Sequence, residues 1–313
     1  MMSRKGCSSF RWRRGLGALL LACGLLAAPA AQAWNAAGHR LSAMIAWEAL
    51  DPDTRAQVAG LLRLHPDHPR WIAHARGADP DLTAFVEAST WPDDIRDDPR
   101  FHEADEDPTP TLPGFPDMER HRQWHYLNRP LHGALSAQKD DGELERQLSR
   151  LTRNLRSADA QRRAWALPWL IHLVGDAHQP LHVATRIGPD GKPDAGGNGL
   201  IVDNPFLPKK RLVSLHRYWD DRPGPPWLRG EALGIAARAI VAANPPPPPS
   251  GTFARWIDES FAIAGSEAYP PDAEEGLPPV ISAEFDERAG KIADRRIAWS
   301  GYRLAELLQR TLH

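Results

Sequence analysis

The sequence predicts an all-α protein, and three observations carry that reading. Apolar residues recur at helical spacing in segment after segment, stretches rich in proline and glycine punctuate them, and no convincing strand set or fixed-period repeat stands out. Taken in order, residues 41–50 read as an apolar-rich helix, and residues 53–64 as a second with Asp51 or Asp53 as its N-cap. Residues 81–87 form a further short helix. Residues 96–118, acidic and rich in proline, read as a loop over the surface. Residues 142–155 alternate leucine with charge at helical spacing. Residues 158–176 give a longer helix toward the core, which Pro168 should kink or restart. Residues 189–199 are a glycine-rich loop. Residues 231–244 and 253–264 are helical by periodicity, separated by a stiff polyproline spacer at residues 245–249. Residues 283–312 give one long or two shorter amphipathic helices.

Residues 1–33 read as a secretory leader. Arg4, Lys5, Arg11, Arg13 and Arg14 precede an apolar stretch over residues 16–28, and Ala31-Gln32-Ala33 is a small-residue cleavage site. The apolar stretch falls short of the about 20 residues that a membrane span needs. Leu20-Leu21-Ala22-Cys23 resembles a lipobox, and cleavage before Cys23 would leave Trp34 internal. Cleavage after Ala33 is favoured, giving a single domain over residues 34–313 that is secreted or periplasmic. Removing the leader leaves 33 Lys and Arg against 40 Asp and Glu, a formal net charge of −7. Cys7 and Cys23 both leave with it, so the remaining chain forms no disulfide. The acidic balance argues against a nucleic-acid binder that works by a basic patch. It leaves room for an enzyme acting on phosphodiesters, because bound divalent cations add positive charge that formal counts omit. After cleavage a monomer with no membrane association is expected.

Ligand-type residues recur at organised spacings. Cleavage after Ala33 frees the Trp34 amine five residues before His39, so that amine, the Trp34 carbonyl oxygen and the His39 imidazole could close around one cation. In His172-Leu-Val-Gly-Asp176-Ala-His178-Gln-Pro-Leu-His182, His172 and Asp176 are four apart, about 40° around a helix, and can share a metal. Pro180 ends the helix nearby, which lets His182 reach a neighbouring ion. His178, six after His172, points nearly opposite and is left out. His216 and Asp220 repeat the four-residue spacing, which on its own is equally a helical ion pair. Asp93, in Trp91-Pro-Asp93, and His125, in Trp124-His125, each sit beside bulky aromatics that lock a rotamer. Imidazoles with a minority of carboxylates and no thiolate fit zinc better than calcium or magnesium; manganese and iron share the ligand type.

In this order the residues resemble the zinc-dependent single-strand-specific nucleases and 3'-nucleotidases of fungi, plants and bacteria, relatives of the bacterial zinc phospholipase C. The resemblance runs from Trp34 to Asp220. It implies three zinc ions in an all-α fold of the phospholipase C/nuclease type with long Pro-rich loops. Asp93, His125, His172 and Asp176 would hold the first, and His182, His216 and Asp220 the second. Trp34 and His39 would hold the third, with Asp176 bridging it to the first. Arg96 falls where the family places a basic residue near the phosphate, Tyr126 where it places a base-stacking aromatic, and Asn128 where a polar group reads the base edge. Three positions depart from the family pattern: Asn35 replaces a glycine and should alter the turn toward His39, Asn128 stands where some members have Asp, and Asp221 stands where some carry a small polar or amide residue near the phosphate.

The implied activity is hydrolysis of single-stranded DNA and RNA to 5'-phosphorylated products, with 3'-nucleotidase activity, by a metal-activated hydroxide attacking phosphorus in line. Asp93 and Arg96 would act at the phosphate. The nearest rival is a phospholipase C, whose branch usually carries Glu at the last carboxylate ligand where this chain has Asp220. A zinc-storing exported protein without catalysis is the third reading.

Overall fold

The computed structural model describes residues 34–132, 142–188, 190–249, 251–271 and 277–313. The leader with its cleavage site, Cys7, Cys23 and Pro189 lie outside them. The described residues are mostly helical.

The first helix, α1 (Ala36–Ala49), starts at Asn35, whose side-chain oxygen accepts from the Ala37 and Gly38 amides. Asp51 caps α2 (Pro52–Arg63) in the same way, with Pro52 at the first helical position, where its missing N–H costs nothing. A one-turn helix α3 (His68–Ile72), then α4 (Pro80–Ala88) and α5 (Trp91–Asp94), follow. Next come α6 (Leu144–Asn154) and α7 (Ala160–Asp176), the latter capped by Asp159 and running through Pro168 without a restart. Every residue of α7 from Ala164 to Asp176 is buried. It is the central rod of the bundle, contacting α6, α2, α11, α5 and α1. The chain closes with α8 (Leu215–Asp220), α9 (Gly230–Ala243), α10 (Phe253–Ser266) and the single 30-residue α11 (Ala283–Leu312), which packs along α1.

Two expectations are corrected. Residues 96–118 do not merely cover the surface: Phe101, Phe115 and Met118 are buried, and both phenylalanine rings pack on Trp91. Proline marked the irregular backbone, but the apolar anchors decide where it lies. The chain also has strands. β1 (Ile201–Asp203) and β2 (Leu212–Ser214) pair antiparallel, with Val202 opposite Val213 and both buried. Three residues per strand give no period for a sequence to display.

Candidate metal centre

Five elements converge on the C-terminal half of α7. His172 and Asp176 lie one turn apart on it, both fully buried. His172 donates Nδ1–H to the Ser89 carbonyl at 2.8 Å, which leaves the Nε2 lone pair facing inward. That Nε2 lies 3.0 Å from Nδ1 of His125, 3.4 Å from Asp176 Oδ2 and 3.8 Å from Asp93 Oδ1. His125, at the end of a 3-10 turn over Arg122–His125, brings Nδ1 to 3.1 Å from Asp176 Oδ2 and 4.0 Å from Asp93 Oδ1. Asp93, on α5, also pairs with Arg96 at 2.9 Å. Of the four residues expected to share one ion, His125, His172 and Asp176 form one metal-capable set, and Asp93 joins His172 in another.

His39, in the first turn of α1, stacks on His172 with ring centroids 3.8 Å apart and reaches Asp176 Oδ1 at 3.4 Å. Asp176 thus faces His125 and His172 with one oxygen and His39 with the other. Gly175 permits this approach, since a Cβ there would stand 2.8 Å from His39 Nδ1. Both ring nitrogens of His39 and Oδ1 of Asp176 are buried without a hydrogen-bond partner. His39 also lies close enough to Asp93 and His172 to share an ion with them, a grouping that spacing did not anticipate. Trp34 is fully buried just before α1, its Cβ against Gly38.

The second set forms where α7 ends. His182 donates Nδ1–H to the His125 carbonyl at 2.6 Å, and His216, on α8, donates its own to the Gly196 carbonyl at 2.7 Å. Their Nε2 atoms consequently face each other at 3.1 Å, with Asp220 Oδ2 3.5 Å from that of His216. Gln179 donates to the other Asp220 oxygen at 2.9 Å. His178 turns the opposite way, accepting from Arg303 at Nε2.

The Nε2 lone pairs of His182 and His216, aimed at each other, repel, because each neutral ring already gives its one proton to a backbone carbonyl. Burial holds His39 and His125 well below the usual histidine range, and it pulls His172 down to about 4 against the opposing pull of Asp93. The carboxylates have the converse problem: burial, reinforced by Asp93, pushes Asp176 well above the usual carboxylate range, and burial, opposed by the Gln179 hydrogen bond and reinforced by Asp221, does the same to Asp220. Each group resists its own charge, and a divalent cation bound by neutral imidazoles and ionised carboxylates resolves both at once. The donor set, nitrogen-rich and free of thiolate, fits zinc.

The departures acquire structural meaning. Asn35 is a helix cap, and its Nδ2 also donates to Asp221 and to the Gly224 carbonyl, while its amide donates to the Asp220 carbonyl. The start of α1 is thereby tied to the end of α8. Asp221 is held by Arg217 as well as Asn35, so its charge is already paired. Arg96 is buried, whereas Tyr126 and Asn128 are half-buried beside His125 in the chain. Sequence reasoning missed Ser89, Gly196 and Gln179, which orient the ligands. Two of them act through backbone carbonyls, which no residue type advertises.

A mostly helical bundle that gathers buried imidazoles and carboxylates into metal-capable sets is the class of protein this geometry defines. The S1/P1 nuclease family matches residues 34–313, and the chain belongs to it. The chain is similar to Nuclease S1 of Aspergillus oryzae (strain ATCC 42149 / RIB 40), 27% identical over 163 residues that cover 46% of this chain and 53% of that protein. The match therefore spans about half the length of this curated relative.

Proposed function

We propose that this protein is an extracytoplasmic zinc-dependent phosphodiesterase that hydrolyses single-stranded DNA and RNA to 5'-phosphorylated products and also releases 3'-phosphate from nucleotides. The observation that carries the reading is the pair of buried His/Asp sets whose lone pairs face one another. Family membership and the likeness to Nuclease S1 support a nucleic-acid substrate.

Asp93, His125, His172 and Asp176 would hold one zinc, His182, His216 and Asp220 a second, and His39 with the amine and carbonyl of Trp34 a third. The family match beginning at residue 34 supports processing that frees that amine. When bound, the ions supply Lewis acidity toward phosphate and a lowered pKa for water. The chain's own groups do the rest. Arg96, now paired with Asp93, donates to a phosphate oxygen as negative charge builds there. Asp93 accepts from the attacking water and aligns it. The new P–O bond forms as P–O3' breaks, and the proton that the attacking water gives up passes through solvent to the departing 3' oxygen. Tyr126 stacks on an unpaired base and Asn128 hydrogen-bonds its edge, which favours single strands.

The test is chelation followed by zinc repletion, with hydrolysis of single- and double-stranded DNA measured at each stage. Chelation abolishes cleavage of single strands and zinc restores it. Activity indifferent to both treatments rules the reading out.

A further inference from the structure

The hairpin β1–β2 leaves one face unburied. Ile201, Asp203, Leu212 and Ser214 share that face, because paired residues in register point the same way. Val280 bridges Asp203 from the far side and joins the row, while its neighbour Ile281 is buried. Leu212 and Val280 are each 61% exposed and Ile201 44%. At the tip, Phe206 and Leu207 are exposed beside Lys209 and Lys210. Arg211 neutralises Asp203 through two hydrogen bonds of 2.7 and 2.6 Å. Lys209 and Lys210 have no ion-pair partner among the described residues, so the tip beside this face carries two uncompensated positive charges on an acidic chain.

We infer that this hairpin face docks onto an anionic lipid bilayer. Aliphatic side chains displayed beside free lysines match the two demands of an interfacial anchor, which are burial of apolar area among acyl chains and attraction to charged headgroups. Single-stranded nucleic acid fits less well, since its bases stack on aromatic rings and the face and tip together offer one aromatic against four aliphatics. No helix among the described residues is long and apolar enough to cross a membrane, so the association is peripheral. The inference revises the expectation of no membrane association. Ser214 caps α8, which carries His216 and Asp220, so docking places one metal-capable set close to the lipid surface.

Co-sedimentation of the purified protein with vesicles tests this, and it needs no hydrolysis to be read. The protein should bind vesicles containing phosphatidylglycerol about tenfold more strongly than phosphatidylcholine alone. The double variants Lys209→Glu with Lys210→Glu, and Leu212→Ser with Val280→Ser, should each lose about tenfold of that binding at an unchanged melting temperature. Absent binding, binding indifferent to lipid charge, or binding unaffected by both variants overturns the inference. So does either of two alternatives in the absence of vesicle binding: variants that weaken capture of single-stranded DNA, or variants that abolish a concentration-dependent dimer.

Discussion

Two buried polar clusters lie at the end of α7, and they differ in how far protein atoms alone satisfy them. On one side, His39, His125, His172 and Asp176 crowd together with ring nitrogens and a carboxylate oxygen left unpartnered. On the other, Arg296 is fully buried yet donates to four acceptors: the His178 and Trp256 carbonyls, Ser260 Oγ and Glu259. Arg303 forks onto both Glu259 oxygens and donates to His178, and Ser260 donates to the Ala177 carbonyl. The second cluster leaves only Arg303 Nε unpartnered among these groups, and it clamps the end of α7 to α10 and α11. The first leaves four such atoms, and its residues fall into metal-capable sets. Under the proposed function, the less satisfied cluster serves binding and the largely satisfied one serves the fold.

Asp176→Asn separates the two most strongly. The substitution keeps size and removes the charge that a shared cation needs, so hydrolysis of single-stranded DNA should fall by more than about a hundredfold, beyond the loss expected for an orienting partner alone. In metal-free protein the carboxyl is already biased toward its neutral form, and the melting temperature should barely move. Zinc at about a thousand times its dissociation constant should add about 4 kcal/mol to the wild type, a rise of about 10 °C for a chain of this size. The variant should show little of that rise. Calorimetry with and without zinc decides, and an equal rise in both proteins removes Asp176 from the ligand set.

Glu259→Ala should do the reverse. It strands the Arg296 guanidinium, which burial already pulls down to about 10 against the opposing effect of Glu259. The expected loss is about 3 kcal/mol, the low end for a broken buried pair because Glu259 is partly exposed. Metal-free and zinc-loaded protein should lose the same amount, with zinc stoichiometry unchanged. A loss confined to the loaded form would show that the clamp acts through the metal centre instead.

The sequence disclosed the two clusters unequally, for a physical reason. Chemistry at fixed spacing is visible: His172 and Asp176 one turn apart, His216 and Asp220 likewise, and the tryptophans beside Asp93 and His125. The long helices were equally legible from periodicity, with Asp51, one of two cap candidates, starting α2. Elements too short to show a period were not, among them α3 and the hairpin. Nor was the clamp, because Glu259, Arg296 and Arg303 read as charges on amphipathic helices. Only the packing of α10 and α11 against α7 buries them. The carbonyls of Ser89, Gly196 and His125 that fix the ring orientations come from segments far apart in the chain, so local spacing carries no trace of them.

The smallest predicted effect concerns a buried histidine outside both clusters. His65 lies among Trp71, Trp91 and Phe115, its Nδ1 accepting the Asp67 amide at 3.1 Å. Burial, opposed by Asp67, pulls it down to about 3. As pH falls below 6.5 the unfolded chain therefore takes up a proton that the folded chain refuses, and stability declines until the folded value is reached. The slope per such group is at most about 1.4 kcal/mol per pH unit. His172, pulled down to about 4, adds a parallel slope in metal-free protein. His65→Asn offers an amide oxygen in place of the Nδ1 acceptor and cannot titrate. It should cost about 1 kcal/mol at pH 7 through lost ring packing, and it should flatten one group's share of the acid slope between pH 6.5 and 5. Urea unfolding across that range measures both. An unaltered slope would mean that His65 takes up its proton without unfolding, leaving the metal-centre histidines to account for the acid sensitivity.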